Sequence, residues 1–217
     1  MILDIFFPNR CLGCNRIIDA DLLVCNLCFD HIHFTHFNYF DDNPLKEKCK
    51  LLFPIENSFA LMQFEEENLS RKIIHELKYR SREKVGKIVA EWTIEQLDFN
   101  NEKPDVLVTV PLHPKKLKER GYNQLHLFTE TLSLFYNIPF DHDLIKRNHY
   151  SKAQALKDKQ HRLETENTFS VTKNISGKHI LLIDDVFTTG NTLATIAWQI
   201  LNAGDNKVSV LVMAVDV

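Results

Sequence analysis

The sequence predicts an α/β protein built on a mostly parallel sheet flanked by helices, with a small four-cysteine module at its N-terminal end. Three observations carry this expectation. Residues 180–183 and 208–215 are continuous apolar runs, the pattern of strands buried on both faces. Segments with helical spacing lie between the apolar runs, so strands and helices alternate along the chain. Four of the five cysteines, Cys11, Cys14, Cys25 and Cys28, crowd the first 28 residues.

Taken in order, residues 31–55 show no clean period and read as a connector, in which Cys49 is expected to be inert. A short apolar stretch at 57–64 predicts the first strand. Leu69, Ile73, Ile74 and Leu77, then Val85, Ile88, Val89 and Trp92, recur at helical spacing and predict helices over about 67–79 and 82–98. Pro104 precedes a strand at 106–110. The Pro- and Lys-rich stretch 111–120 is expected to be a loop leading into a helix over about 122–136. Another short strand is expected near 143–147, and the polar segment 148–167 is expected to be a mobile loop. After the strand at 180–183, a helix over about 192–202 is expected to stop at Gly204 in the C′ position. The resulting organisation is a metal module at 1–36, a connector at 37–56 and a main domain at 57–217.

Composition narrows the partners. The 217 residues are 44% hydrophobic and 25% charged, with a net charge of −3, and show no internal repeat. Charge is not evenly spread. Lys and Arg number 13 against 18 Asp and Glu in 1–109, 10 against 5 in 110–162, and 3 against 6 in 163–217. A basic middle between acidic flanks suits a polyanion site better than a general DNA-binding surface. The opening residues have no positive n-region, and Asp4 and Pro8 break their apolar stretch, so no secretory signal is expected. No run reaches the length of a membrane span. A cytoplasmic, reducing location is therefore expected.

The most informative stretch is 180–192. A buried strand delivers Asp184 and Asp185 to its carboxyl end, where open α/β sheets bind ligands. Val186, Phe187, Thr188, Thr189, Gly190, Asn191 and Thr192 then form a short loop running into a helix. Gly190 lets backbone approach an anion, three threonines offer hydroxyls, and the helix start adds free N–H groups. The carboxylates stand one loop away, placed for sugar hydroxyls or Mg²⁺. A phosphate cradle beside paired acids suits a phosphorylated sugar. The stretch is neither a Walker A loop nor a dinucleotide fingerprint.

The cysteines form two C-x-x-C pairs ten residues apart. Each pair can pinch one edge of a tetrahedron, and Gly13 assists the first turn. Four thiolates favour zinc or an iron centre, zinc being the commoner structural occupant. Disulfides suit a reducing location poorly, and redox-active pairs are the remaining alternative. Such a module cannot build its own apolar core and would need the metal to fold. With Arg10 and Arg16 as its cations, it is expected to dock on the main domain or a partner through Phe6, Phe7, Phe29 and the stretch 31–36.

Residues 180–192 resemble the signature of type I phosphoribosyltransferases, which bind phosphoribosyl pyrophosphate (PRPP). The resemblance implies that fold for the main domain, with Asp184 and Asp185 at the ribose hydroxyls and residues 186–192 around the 5′-phosphate. Residues 110–124 resemble the middle signature of the ComF family, competence-associated phosphoribosyltransferase-like proteins. Arg147, Gln154, Arg162 and Asn167, and the four-cysteine module, follow the same pattern; Ser151 stands where that family often has Thr.

The resemblance implies a pyrophosphate side formed by Pro111, Leu112, His113, Lys115 and Arg120, and a closing hood that carries Arg147, Gln154 and Arg162 as catalytic candidates. It also implies Mg²⁺ alongside structural zinc, and a role in natural transformation and DNA uptake beside a helicase-type partner. Two readings stay open: transfer of phosphoribosyl to an acceptor, and a PRPP sensor or single-stranded DNA-binding module on the same scaffold. An acceptor pocket is not legible in the sequence; the most variable part of the fold, about 56–98, is where it is expected.

Overall fold

The computed structural model describes residues 8–65, 68–78, 84–148 and 168–216. Thirteen elements lie within these residues. They run α1 (Asn26–Phe29), α2 (Pro44–Lys50), β1 (Ser58–Gln63), α3 (Leu69–Glu76), α4 (Lys84–Ile94), β2 (Val106–Thr109), α5 (Pro114–Arg120), α6 (Leu125–Tyr136), β3 (Ile145–Arg147), β4 (Phe169–Val171), β5 (His179–Phe187), α7 (Asn191–Asn202) and β6 (Lys207–Val215).

Four strands form one sheet in the order β1-β6-β5-β2, and every pairing in it is parallel. The two central strands, β5 and β6, carry the apolar runs; Ile180–Ile183 and Val210–Val215 are all fully or almost fully buried. Covering both faces of a parallel sheet with helices leaves no place for polar side chains along its middle. Polarity therefore returns where β5 leaves the core, at Asp184. The pairing fixes that position: Ile183 stands opposite both Thr109 and Leu211, and the Val110 N–H donates to the Ile183 carbonyl at 3.0 Å. A separate antiparallel pair, β3 with β4, sets Arg147 opposite Phe169.

Helix α6 packs on β2 and β5 and lies against α4. The two helices come close because Gly86 has no side chain: a Cβ there would sit 3.4 Å from the Gln124 carbonyl and the Phe128 nitrogen. Helix α7 packs against β4, β5 and β6. Among the described residues no helix is long and apolar enough to cross a membrane.

The structure departs from the sequence expectations in five places. Val186 and Phe187, expected in the loop, continue β5, since they still pair with Ala214 and Val215 of β6. Residues 114–120, expected as loop, form α5. Pro114 opens it at N1, the His113 side chain accepts from the Lys115 N–H, and Gly121 closes it in the left-handed region at φ 80°. None of its residues is buried, so no apolar period betrayed it. The connector likewise contains α2, capped by Asn43, whose side chain accepts from the Lys46 N–H at 2.9 Å and from the Ser58 hydroxyl at 2.9 Å. The strand β4 was not foreseen. Gly204 does follow α7, but it is absent from the left-handed region; a side chain there would meet the Ile175 carbonyl at 2.7 Å, so close approach explains it. Residues 149–167, with Gln154, Ser151, Arg162 and Asn167, lie outside the described residues.

Candidate functional site

The carboxyl ends of β5 and β2, the start of α7, and the segment from Pro111 to Gln124 converge on one cleft. Its volume is about 250 Å³, and its lining includes Lys78, Pro111, Leu112, His113, Lys116, Arg120, Gln124, Arg147, Asp184, Asp185, Val186 and Thr192. One edge opens into a cradle of about 50 Å³ lined by Asp184 and residues 186–193.

In the cradle, Gly190 takes φ 73° at the N-cap of α7, and the helix start has no side-chain cap. A side chain on Gly190 would meet Leu52 at 2.6 Å and the Phe187 ring at 2.7 Å, so glycine is required both for backbone conformation and for space. Thr188, Thr189 and Thr192 are exposed, whereas Phe187, which also lines the cradle, is buried in the core. Uncapped N–H groups with free hydroxyls form an acceptor for a small anion.

The acids are held from below. The Asp184 carboxylate accepts from the Asp185 N–H at 2.8 Å, and the Asp185 carboxylate from the Val186 N–H at 2.8 Å and the Gln124 amide at 3.0 Å. Gln124 accepts in turn from Arg120 at 2.8 Å. Arg120 thus orients an acid through Gln124 while also lining the cleft. Burial, then the charge of Asp185, push the Asp184 carboxyl well above the usual carboxylate range, and Lys78 opposes them. Two crowded carboxylates call for a cation or hydroxyl donors, and that donor set fits a hard, oxygen-loving ion such as Mg²⁺.

The expected site residues are thus partly assembled. Pro111, Leu112, His113, Arg120, Arg147, Asp184, Asp185, Val186 and Thr192 share the cleft, and Thr188, Thr189, Gly190 and Asn191 share its cradle. Lys115 is not brought in: it is exposed, and on helix α5 it is Lys116, one turn before Arg120, that lines the cleft. The imidazole of His113 is engaged as the α5 cap. Lys78 and Gln124 were missed as site residues. Lys78 follows a helix in a polar stretch and carried no signal; Gln124 stood in the 110–124 motif, but its link to Asp185 spans 61 residues of sequence.

The second site is the cysteine cluster. The four sulfurs of Cys11, Cys14, Cys25 and Cys28 lie within 4.8 Å of one another. Ligands of a tetrahedral zinc at about 2.3 Å stand about 3.8 Å apart, and Cys14 Sγ and Cys25 Sγ are 3.7 Å apart. Gly13 makes room for the fourth ligand, since a side chain there would lie 2.6 Å from Cys28 Sγ. Burial would raise the Cys11 thiol, but the backbone N–H groups of Cys14, Cys25 and Gly13 bring it down to about 6. Burial and the neighbouring thiols push Cys28 up to about 12. Sulfurs this close cannot all ionise without a cation among them, and a zinc ion held by the four thiolates would supply it. The module docks on the main body: Phe29 packs on Phe34 at 5.3 Å and edge-on against Trp92 of α4 at 5.2 Å. Cys49 stays apart, buried, its thiol pushed up to about 12.

With this geometry established, comparison with known proteins is informative. The pattern of the phosphoribosyl transferase domain family matches residues 78–215, and that of the double zinc ribbon domain matches residues 2–39. The chain belongs to the phosphoribosyl transferase domain family. It is 28% identical over 144 residues, 64% of its length, to the DNA utilization protein YhgH of Escherichia coli O157:H7. It is 40% identical over 110 residues (49% of the chain, 43% of the relative) to competence protein ComFC of Bacillus subtilis. Competence protein F of Haemophilus influenzae is 32% identical over 111 residues, 49% of the chain and 48% of the relative. The chain spans 63% of the length of the first relative and under half of the other two. These relatives bear out the resemblance to the ComF family, and the double zinc ribbon match with the thiol cluster supports a structural zinc.

Two expectations follow. Because the Asp184 carboxyl titrates above its unfolded-state value, it lowers stability once pH rises past the ordinary carboxylate range. Asp184→Asn keeps the Oδ1 acceptor, so it is expected to raise the melting temperature at pH 7 by about 2–4 °C per kcal/mol relieved. The gain should vanish near pH 3, where both states are protonated; an unchanged or lower melting temperature at pH 7 contradicts the assignment. For the cysteine cluster, Cys25→Ser is expected to remove bound zinc measured by atomic absorption, and unchanged metal content contradicts a four-thiolate site.

Proposed function

We propose that the protein binds PRPP with Mg²⁺ in the cleft at the carboxyl end of β5 and serves the handling of incoming DNA in the cytosol. The observation that carries this reading is the continuity of three features: an anion cradle at the start of α7, two acids at the end of β5, and a basic wall of Lys78, Lys116, Arg120 and Arg147. They follow the order of charges along PRPP, with a 5′-phosphate, ribose hydroxyls and a pyrophosphate. The cradle would take the phosphate through residues 188–192. Asp184 and Asp185 would accept from the ribose hydroxyls, Asp185 being held in place by Arg120 through Gln124. The cations, with the backbone at 111–113, would hold the pyrophosphate. Bound Mg²⁺ would offset the negative charge of the pyrophosphate. A role in DNA utilization or competence is supported by the names of the relatives, whereas DNA uptake and a helicase-type partner rest on the resemblance to the ComF family alone.

Among the described residues the cleft holds one imidazole, His113, and its Nδ1 is engaged as a helix cap. This favours a second reading in which PRPP is held as a signal and not consumed. Arg147 lines the cleft on the side of β3, as the hood reading requires, while Gln154 and Arg162 lie outside the described residues.

Calorimetry with PRPP and Mg²⁺ tests the reading. Binding heat is expected, and the pair Asp184→Asn/Asp185→Asn should weaken it by about tenfold or more, since hydrogen bonds to charged groups contribute about 1.5–3 kcal/mol. Absence of heat with the unaltered protein refutes it. If PRPP binds, pyrophosphate release with candidate acceptors separates transfer from sensing.

A further inference from the structure

Residues 40–77 lie between the two matched family patterns, yet one of them reaches the anion cradle. Leu52 stands just beyond α2, and its Cδ1 lies 2.6 Å from where a side chain on Gly190 would begin. The Phe187 ring lies 2.7 Å from the same point. Gly190, at the N-cap of α7, thus meets both a ring from the core and a leucine from the connector. A glycine has the widest backbone freedom of any residue and no side chain to anchor it. Its left-handed conformation must therefore be fixed by what packs on it.

Leu52 is itself firmly placed. Helix α2 is fastened to β1 at its start, where the Asn43 amide donates to the Ser58 carbonyl at 3.1 Å and accepts from the Ser58 hydroxyl at 2.9 Å. Leu45 and Cys49 of α2 are fully buried. At the far end, the Cys49 carbonyl accepts from the N–H groups of Leu52 at 2.8 Å and Phe53 at 3.0 Å. Of the two leucines there, Leu51 is exposed and Leu52 packs against the core. The Leu52 carbonyl is taken by Trp198 of α7, whose indole Nε1 donates to it at 3.0 Å. An indole has one N–H and no acceptor, so this bond uses all the polar capacity of Trp198. A second tie joins α2 to the cradle. Lys48 Nζ donates to the Asp216 carbonyl, and the Asp216 N–H donates at 3.0 Å to the carbonyl of Phe187, a cradle residue.

We propose that α2 and Leu52 brace the cradle: Leu52, clamped by Trp198, is a positioning residue that sets Gly190 and the free N–H groups of α7 for an anion before it arrives. Neither side chain lines the cradle, so each acts through Gly190 and α7. A loop ordered in advance loses no freedom on binding, so the brace raises affinity for the group the cradle holds. Without Leu52 the glycine would regain conformations in which those N–H groups no longer converge. That the group is the 5′-phosphate of PRPP rests on the function proposed above. The basic wall of Lys78, Lys116, Arg120 and Arg147 is carried by other segments and does not depend on the brace.

Calorimetry with two ligands separates the brace from general stability: ribose 5-phosphate, which needs the cradle, and pyrophosphate with Mg²⁺, which needs only the basic wall. Trp198→Phe keeps a ring on α7 but removes the donor, and Leu52→Ala removes the contact with Gly190. Each is expected to weaken ribose 5-phosphate about three- to tenfold, as one lost hydrogen bond does, and to leave pyrophosphate affinity within a factor of about two. Leu52→Met keeps an apolar chain of similar volume and is expected to bind ribose 5-phosphate nearly as the unaltered protein does. Trp198 is 44% exposed, so its replacement decides the matter even if Leu52→Ala does not fold. Equal weakening of both ligands contradicts the brace, as does ribose 5-phosphate binding that Leu52→Ala and Trp198→Phe leave unchanged. Absence of heat with ribose 5-phosphate and PRPP in the unaltered protein would instead overturn the cradle, and the brace with it.

Discussion

The parallel seating of β5 between β2 and β6 is the constraint on which the rest of the molecule depends. It buries Ile180–Ile183 completely and fixes the register of the strand, because a shift along its neighbours would draw Asp184 into the core or leave an apolar residue in its place at the edge. The first residues beyond the core are therefore Asp184 and Asp185, and the loop that follows must turn at Gly190 to start α7. Neighbouring β2 ends at the same edge and delivers Pro111 and Leu112 beside them. The acids and the anion cradle both follow from where these buried strands stop.

The site is supported at a cost in stability. Asp184 is crowded by burial and by its neighbour, and no structural role requires a carboxylate there rather than an amide. Such strain is expected where a ligand or cation is to be received. By contrast, the linkage from Arg120 through Gln124 to Asp185 is fully satisfied and fixes one acid before any ligand arrives. Gly86 contributes at a distance, since the close approach of α4 to α6 sets the position of Gln124 at the start of α6. The zinc module is joined to the same body through Phe29 and Trp92, with Cys11, Leu23 and Val24 buried within the common core. Its metal replaces an apolar core it is too small to form.

Strands buried on both faces were legible because their apolar runs are unambiguous, and the phosphate loop was legible because small hydroxyl residues, glycine and acids fall at the end of one of them. The helix α5 was not, since it buries nothing; its signals were Pro114 and Gly121 at its ends, and reading them would have replaced Lys115 by Lys116 in the cleft. Helix α2 escaped for a different reason: it is only seven residues long and buries only Leu45 and Cys49, too short a run to show a period, with Asn43 and Pro44 marking its start. What no one-dimensional pattern carries is convergence across the chain: Gln124 with Asp185, Lys78 with Asp184, and Leu52 with Gly190 each join residues from separate elements.

The most direct test of the central claim is a crystal structure of the protein soaked with PRPP and Mn²⁺ as an anomalous stand-in for Mg²⁺. The account predicts the 5′-phosphate inside the loop 187–193, the ribose hydroxyls against Asp184 and Asp185, and the pyrophosphate along Lys78, Lys116 and Arg120. Ordered PRPP elsewhere on the surface, or an empty cradle at millimolar PRPP, would contradict it.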